Sequence, residues 1–178
     1  MNSNRRIPSF SFEPAISTIR ATGGLLLLLL VSGCGGPLGP LAGGALSGPE
    51  SPLPEDVAPL AGLLDWQLET VAEDGSPYSV NVWTGVVDDG LYVPTSLILG
   101  VENPKDRAWV QNVERDPRIR LRSERKVYTA ELERIDDEAT VAAAKETILR
   151  KYEEESSAHS AAAWIYRVQP RGASEPLN

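Results

Sequence analysis

One cysteine and one histidine in 178 residues set the first limits on this chain. They cannot supply a four-ligand zinc site of the usual Cys/His kind, nor a disulfide framework. Positive charge is also scarce: 17 Lys and Arg face 25 Asp and Glu, a formal net charge of −8. Without a broad basic excess to neutralise phosphates, no nucleic-acid partner is expected. Long apolar runs are missing too. The strongest, Leu25 to Val31, is seven residues long, against the roughly 20 that a transmembrane helix needs. The sequence contains no G-x-x-x-x-G-K-[ST], no G-x-S-x-G and no H-E-x-x-H, so P-loop, α/β-hydrolase and zinc-protease chemistry have no footing. A Ser–His–Asp set would have to use His159, which sits in a polar Ala- and Ser-rich stretch and reads as a solvated loop residue.

What is present begins with an address. Arg5, Arg6 and Arg20 precede the Leu25–Val31 run, and Val31-Ser32-Gly33-Cys34 follows. Basic, apolar and then small residues is the order of a secretory signal peptide. The tetrapeptide resembles a bacterial lipobox, in which the cysteine is lipidated and becomes the first residue of the mature protein. Residues 1–33 are therefore read as a lipoprotein signal peptide, and Cys34 as a lipid anchor to a bacterial membrane, with the domain in the cell envelope facing outside the cytoplasm. Arg5-Arg6 stands too far from the apolar run, with Pro8 close behind, to read as a twin-arginine signal. Cleavage before Cys34 leaves 14 basic and 24 acidic residues, a net charge of −10.

From Gly35 to Asp56 the sequence GGPLGPLAGGALSGPESPLPED is dominated by Gly and Pro. It offers little apolar surface to offset its ordering entropy, so residues 34–56 are expected to be a flexible tether. Residues 57–171 have the size of one domain, and 172–178 are expected to be a disordered tail.

Within 57–171 the apolar spacing changes period. Trp66, Leu68 and Thr70 fall on one side of a strand, Tyr78 to Val87 is β-branched and aromatic, and Asp88-Asp89-Gly90 is a hairpin turn leading into Leu91–Thr95. A three-strand meander is the expected opening, with Gly90 taking the positive φ. Trp109, Val110 and Val113 then give a helix between Lys105 and Asp116, which Pro104 or Asp106 opens and Pro117 closes. Arg118–Ser123 alternates strictly, and Lys126–Ile135 returns beside it. A second helix, capped by Asp136, carries Val141, Ala144, Ile148 and Tyr152 on one stripe, and Ala162–Gln169 closes as a strand. The order βββαββαβ with antiparallel pairing predicts a mainly β, α+β domain built as a closed or partly closed barrel.

Between Lys105 and Lys126 eight basic residues face four acids. In an acidic chain, that zone suits a small anionic ligand such as a phosphorylated cofactor. Lys105 and Arg107, where the first helix starts, are the best phosphate contacts. Arg118, Arg120 and Arg122 read instead as the wet face of a strand, charged to discourage edge pairing.

Three stretches carry a family resemblance: Leu91-Tyr92-Val93-Pro94-Thr95-Ser96, then Lys105-Asp106-Arg107-Ala108-Trp109-Val110-Gln111-Asn112-Val113, then Asp116-Pro117-Arg118-Ile119-Arg120-Leu121. Together they resemble the FMN-binding split-barrel superfamily, nearest its pyridoxamine-phosphate-oxidase-like and deazaflavin-dependent nitroreductase-like branches. The resemblance covers most of Trp66–Val168 and implies an antiparallel split β-barrel that dimerises, with FMN or a deazaflavin in the interface groove. It implies hydride transfer with a small organic substrate, with no acid or base assigned. It places phosphate contacts at Thr95, Ser96, Lys105 and Arg107. Trp83 and Trp109 could flank the ring system, or simply pack in the core. The loop Ile98–Pro104 adds no Arg or Lys, which keeps open the alternative of a cofactor-free barrel acting as a binding or structural module.

Overall fold

The computed structural model describes residues 35–95, 103–153 and 163–171. The expected signal peptide, Cys34 and the C-terminal tail lie outside the described residues. Two contact-defined units divide the chain, Met1–Gly33 and Cys34–Asn178, and everything below concerns the second.

The strands are β1 Glu50–Pro52, β2 Trp66–Val71, β3 Pro77–Val82, β4 Gly85–Val87, β5 Gly90–Pro94, β6 Arg118–Ser123, β7 Lys126–Ile135 and β8 Ile165–Pro170. Helix α1 is Ala108–Arg115, between β5 and β6, and α2 is Glu138–Lys151, between β7 and β8. Along the sheet the order is β3-β2-β6-β7-β8-β5-β4. The expected βββαββαβ order is there, with the antiparallel, mainly β and two-helix character. One change is that Tyr78–Val87 breaks at Trp83-Thr84 into β3 and β4, which stand at opposite ends of the sheet. The opening is therefore no meander: β2 pairs with β3, and β4 and β5 form a separate hairpin whose partner is β8.

Strand β7 is ten residues long because it serves both halves. Its first part, Lys126–Glu131, pairs with β6, and its second, Ala130–Ile135, with β8. The inward faces meet in one apolar cluster that includes Trp66, Leu68, Leu91, Val93, Ile119, Leu121, Leu132 and Tyr166. Helix α1 adds Trp109, Val110 and Val113 to it. Asn112 holds that helix in register, its buried Nδ2 donating to Thr70 Oγ1 on β2 at 2.9 Å. On the outer face α2 lays Ala144 against Tyr92 and Ile165, and Ile148 against Ala163. Its N-cap is Asp137, one residue later than expected, accepting from Thr140 N.

Glycine marks two close approaches. A Cβ on Gly85 would stand 2.6 Å from Ile148 Cγ1 on α2, and one on Gly90 2.6 Å from the Tyr92 ring. Gly90 is thus small for packing. The positive φ of that hairpin, +51°, belongs to Asp88 instead.

The segment expected to be a free tether is, from Gly35 on, part of the domain. Strand β1 pairs in parallel with Val127–Thr129 of β7, the one parallel pairing among the described residues. Gly43 exchanges backbone hydrogen bonds with Ser79 of β3 at 2.8 and 2.9 Å, and Leu46, Leu53 and Val57 are buried. The domain begins near residue 35, not 57. Polar contacts add to the burial of Leu46: the strap, residues 35–49, bonds to the free edge of β3 at Ser79 and passes to β2 and β6, where strand side chains bind it.

Arg120 donates through Nη1 to both carboxylate oxygens of Glu69, at 2.9 and 2.8 Å, and through Nη2 to Glu50 at 2.6 Å. Glu69 also accepts from the backbone N–H of Leu46. Arg122 donates to Gln67 Oε1 and to the carbonyl of Ser47, and Arg118 binds Asp116 in the sharp turn before β6. Strand β6 lies between β2 and β7. These arginines therefore do not guard an edge; Arg120 and Arg122 fasten a covering segment.

Candidate functional site

The two expected phosphate ligands on the first helix sit at its start, but the local structure differs from a simple helix over 105–116. Asn103 caps a short 3-10 turn, Pro104–Asp106, its side chain accepting from Lys105 N. Arg107 then becomes the N-cap residue of α1 in an extended conformation, and no side chain caps that helix. Gln111 folds back from the helix, donating to the carbonyl of Lys105 at 2.8 Å. The first N–H groups of an α-helix have no intrahelical acceptor and carry the positive end of its dipole.

Arg107 is half-buried, and its Nε is a buried donor without a hydrogen-bond partner. Burial pushes its guanidinium pKa down from the ordinary value, an effect that Tyr78 partly opposes. An acceptor at this point would satisfy a donor that is otherwise costly to bury.

Lys105 is exposed, and its Nζ lies 5.7 Å from the centroid of the Trp164 ring. Arg134, near the end of β7, brings its guanidinium to 4.8 Å from the same ring. Trp164 is fixed from behind by Thr95. The Thr95 N–H donates to the Trp164 carbonyl at 2.9 Å, and the Trp164 N–H donates to Thr95 Oγ1 at 3.0 Å. Two cations over one half-buried indole form a positively charged rim at this end of the barrel, since cation–π attraction holds the side chains without neutralising them. Arg134 also reaches Asp136 at 3.2 Å, the first of several acidic neighbours that raise its pKa. Two residues beyond Trp164, on β8, Tyr166 donates its hydroxyl to Glu114 of α1 at 3.0 Å. Burial, and then Glu114, push that phenol's pKa well above its usual value.

Of the six residues expected to bind a cofactor, the structure brings Thr95 and Lys105 together through Trp164, and places Arg107 at the adjoining helix start. Ser96 lies outside the described residues, as do Cys34 and His159. The two tryptophans do not flank a common ring site. Trp83 stacks on Tyr152 at 4.6 Å and 6° in the small cluster under α2. Trp109 is 4% exposed in the main core, edge-on to Tyr166 at 5.7 Å. Both are consumed by packing, the reason being that Trp83, in the break after β3, lies on the α2 side whereas Trp109 faces inward from α1. Trp164 and Arg134, the aromatic and the second cation at the rim, had no signal in the sequence beyond lying in strands. Among the described residues no group of His, Cys, Asp and Glu could hold a metal ion.

No protein-family model matches the chain, and no curated protein matches it. Solved structures do. An F420 reductase superposes with a TM-score of 0.50 and 17% identity over 67% of this chain and 97% of that one. The chain folds as a split barrel. Other split-barrel neighbours are a 5-nitroimidazole antibiotic resistance protein of Bacteroides thetaiotaomicron, described as putative (TM-score 0.47, 18% identity, 62% of this chain and 74% of that one), and a FAD-binding protein of Mesorhizobium loti (0.46, 21%, 68% and 93%). At such identities the likeness is one of fold. In this split barrel the gap lies between β3 and β4, the ends of the sheet path.

Proposed function

We propose that this split barrel binds FMN or a deazaflavin at the start of α1 and acts as an oxidoreductase on a small organic substrate, held at a bacterial membrane by a lipid on Cys34. The observation that carries the reading is the helix start itself. An uncapped α1, the exposed ammonium of Lys105 and the partnerless buried Nε of Arg107 are three donors or charges suited to a phosphate. The bound cofactor would supply the hydride chemistry. The chain's own contribution is to hold the phosphate with Lys105 and Arg107, to keep Trp164 fixed through Thr95, and to hold the Tyr166 phenol protonated against Glu114. The folds of the F420 reductase and the FAD-binding protein support this reading, because their names attach redox cofactors to the same architecture.

A second reading, a cofactor-free barrel that binds a partner or ligand, is favoured by the fate of Trp83 and Trp109, which leaves no aromatic pair to clamp a flavin. One experiment separates the two. The purified full chain is examined for absorbance between about 350 and 450 nm, where flavin-like cofactors absorb, and its melting temperature is measured with FMN and with a deazaflavin. Binding to the native state alone stabilises by about 2.7 kcal/mol at 100 times Kd. Losing a charge-assisted contact in Lys105→Ala should weaken binding by about 1.5–3 kcal/mol, roughly ten- to a hundred-fold in Kd. A colourless protein whose melting temperature ignores both cofactors supports the second reading.

A further inference from the structure

Near its start the strap makes a tight turn with an unusual surface. Leu38 and Leu41 exchange backbone hydrogen bonds, N to O at 3.1 and 3.0 Å, across Gly39-Pro40, with Gly39 at φ +57°. Residues paired in this way project to the same side. Leu38 is 75% exposed and Leu41 68%; among the described residues the only other exposed large hydrophobic is Leu64.

The turn is held rigidly. Its two legs touch backbone to backbone: a Cβ on Gly35 would fall 1.8 Å from Ala45 O, and one on Gly43 2.2 Å from Gly36 C. Asn81 Nδ2 donates to the Gly39 carbonyl at 2.8 Å, and Gly43 is bonded to Ser79. Glycines that permit this approach, and side chains that pin it to β3, are a costly way to keep two leucines in water. No charged residue occurs between Gly35 and Pro49.

Only three residues separate Cys34 from Leu38, four steps of chain that span at most about 14 Å fully extended. We propose that the Leu38–Leu41 turn is a membrane-docking surface that seats its two leucines in the lipid interface beside the anchor, so that the barrel is held in one orientation instead of swinging on a tether. The proposal rests on the reading that Cys34 is lipidated. The attraction is apolar, because the turn has no charge and the mature chain, at net −10, is repelled by anionic lipid.

The test uses the full lipidated chain in vesicles of phosphatidylethanolamine and phosphatidylglycerol. With Cys34 acylated, Ala42→Cys supplies the sole free thiol for an environment-sensitive fluorophore, and Glu73→Cys in the β2–β3 turn is the control; both positions are exposed. The label at 42 should emit to the blue and be quenched by brominated lipid, at the depth of about 5–10 Å that interfacial apolar groups reach. High salt should not reverse this, whereas Leu38→Asp with Leu41→Asp should, with the protein still on the vesicles. Equal emission from positions 42 and 73 overturns the proposal. So does a blue shift without vesicles that grows with protein concentration, which would make a second copy of the chain the occupant. Intact mass tests the anchor separately. If Cys34 carries no lipid, that reading fails, and the labelled Ala42→Cys chain in a Cys34→Ser background with added vesicles decides docking alone, with no blue shift overturning it.

Discussion

Replacing Arg120 by Met should unlatch the strap at a cost that the structure allows to be worked out. The Glu69 side chain is 5% exposed and that of Arg120 15%, so the pair is largely removed from water. Burial works against the Arg120 charge, but hydrogen bonds and charges from Glu69 and Glu50 outweigh it and hold its pKa above the ordinary guanidinium value. Met keeps most of the volume and leaves the Glu69 carboxylate to accept from the Leu46 N–H without its guanidinium partner. Stranding one partner of a buried pair costs about 3–5 kcal/mol. The lower end applies here, because the strap can lift and let water reach Glu69. With an unfolding entropy near 2.1 cal/mol/K per residue over a domain of about 135 residues, 3 kcal/mol lowers Tm by about 10 °C. Calorimetry reads the loss, and amide exchange at Gly43, Leu46 and Ser79 locates it. Adding Glu69→Leu removes the stranded charge and should restore most of the stability, since apolar replacement of a whole buried pair is often neutral. A loss below about 1 kcal/mol in Arg120→Met, or unchanged protection at those three amides, would refute the latch.

Lys151 is half-buried, donates to Thr84 Oγ1 at 3.1 Å, and has its pKa lowered to about 8 by desolvation. Its folded pKa lies below the unfolded one, so the unfolded chain binds more protons and stability should rise from about pH 8 towards 10.5. Above about pH 10 the raised pKa values of the half-buried Tyr152 and buried Tyr166 phenols reverse the slope. Urea midpoints across this range test it; Lys151→Met should be more stable at pH 7 and lack the rise, and a flat wild-type profile would contradict the assignment. Gly85→Ala should cost about 1–3 kcal/mol by overpacking against Ile148. With Ile148→Ala the double variant should lose less than the two single losses added, and simple additivity would show that the contact is not the cause.

The strands and helices were legible because they rest on local period. Trp66, Leu68 and Thr70 alternate as read, and Ala144 and Ile148 are the buried centre of the expected stripe. What escaped was what local pattern does not encode. A run such as Tyr78–Val87 contains nothing to say that it breaks at Trp83 and changes sheet edge. The Gly/Pro-rich strap lacks the apolar surface that predicts order, because it is ordered chiefly by backbone contacts and by polar groups on strands 20 or more residues away, such as Leu46 on Glu69. The rim was half legible: Lys105 stood out by charge, whereas Trp164 and Arg134 acquire meaning only through strand pairing, which sets Arg134 opposite Tyr166.

The basic zone from Lys105 to Lys126 shows why charge along a sequence is a poor guide to charge in space. The fold divides it four ways, one of them Arg115 of α1, which donates to the carbonyl of Val71 and to Asn112 Oδ1. Lys105 goes to the rim and meets Arg134, which lies outside the zone altogether. Arg118, Arg120 and Arg122 point to the other side of the sheet, where carboxylates and carbonyls engage them. Arg125 and Lys126 are exposed at the β6–β7 turn. Strand alternation revealed that the three arginines share a face, but not that a segment 70–75 residues earlier engages two of them. At this end of the barrel an anion therefore meets not eight positive groups but a small rim, and affinity there must come from Lys105, Arg107 and the helix start, with Arg134 close by. That is why Lys105→Ala is the decisive substitution for cofactor binding, whereas Arg120→Met should leave such binding unchanged while loosening the strap.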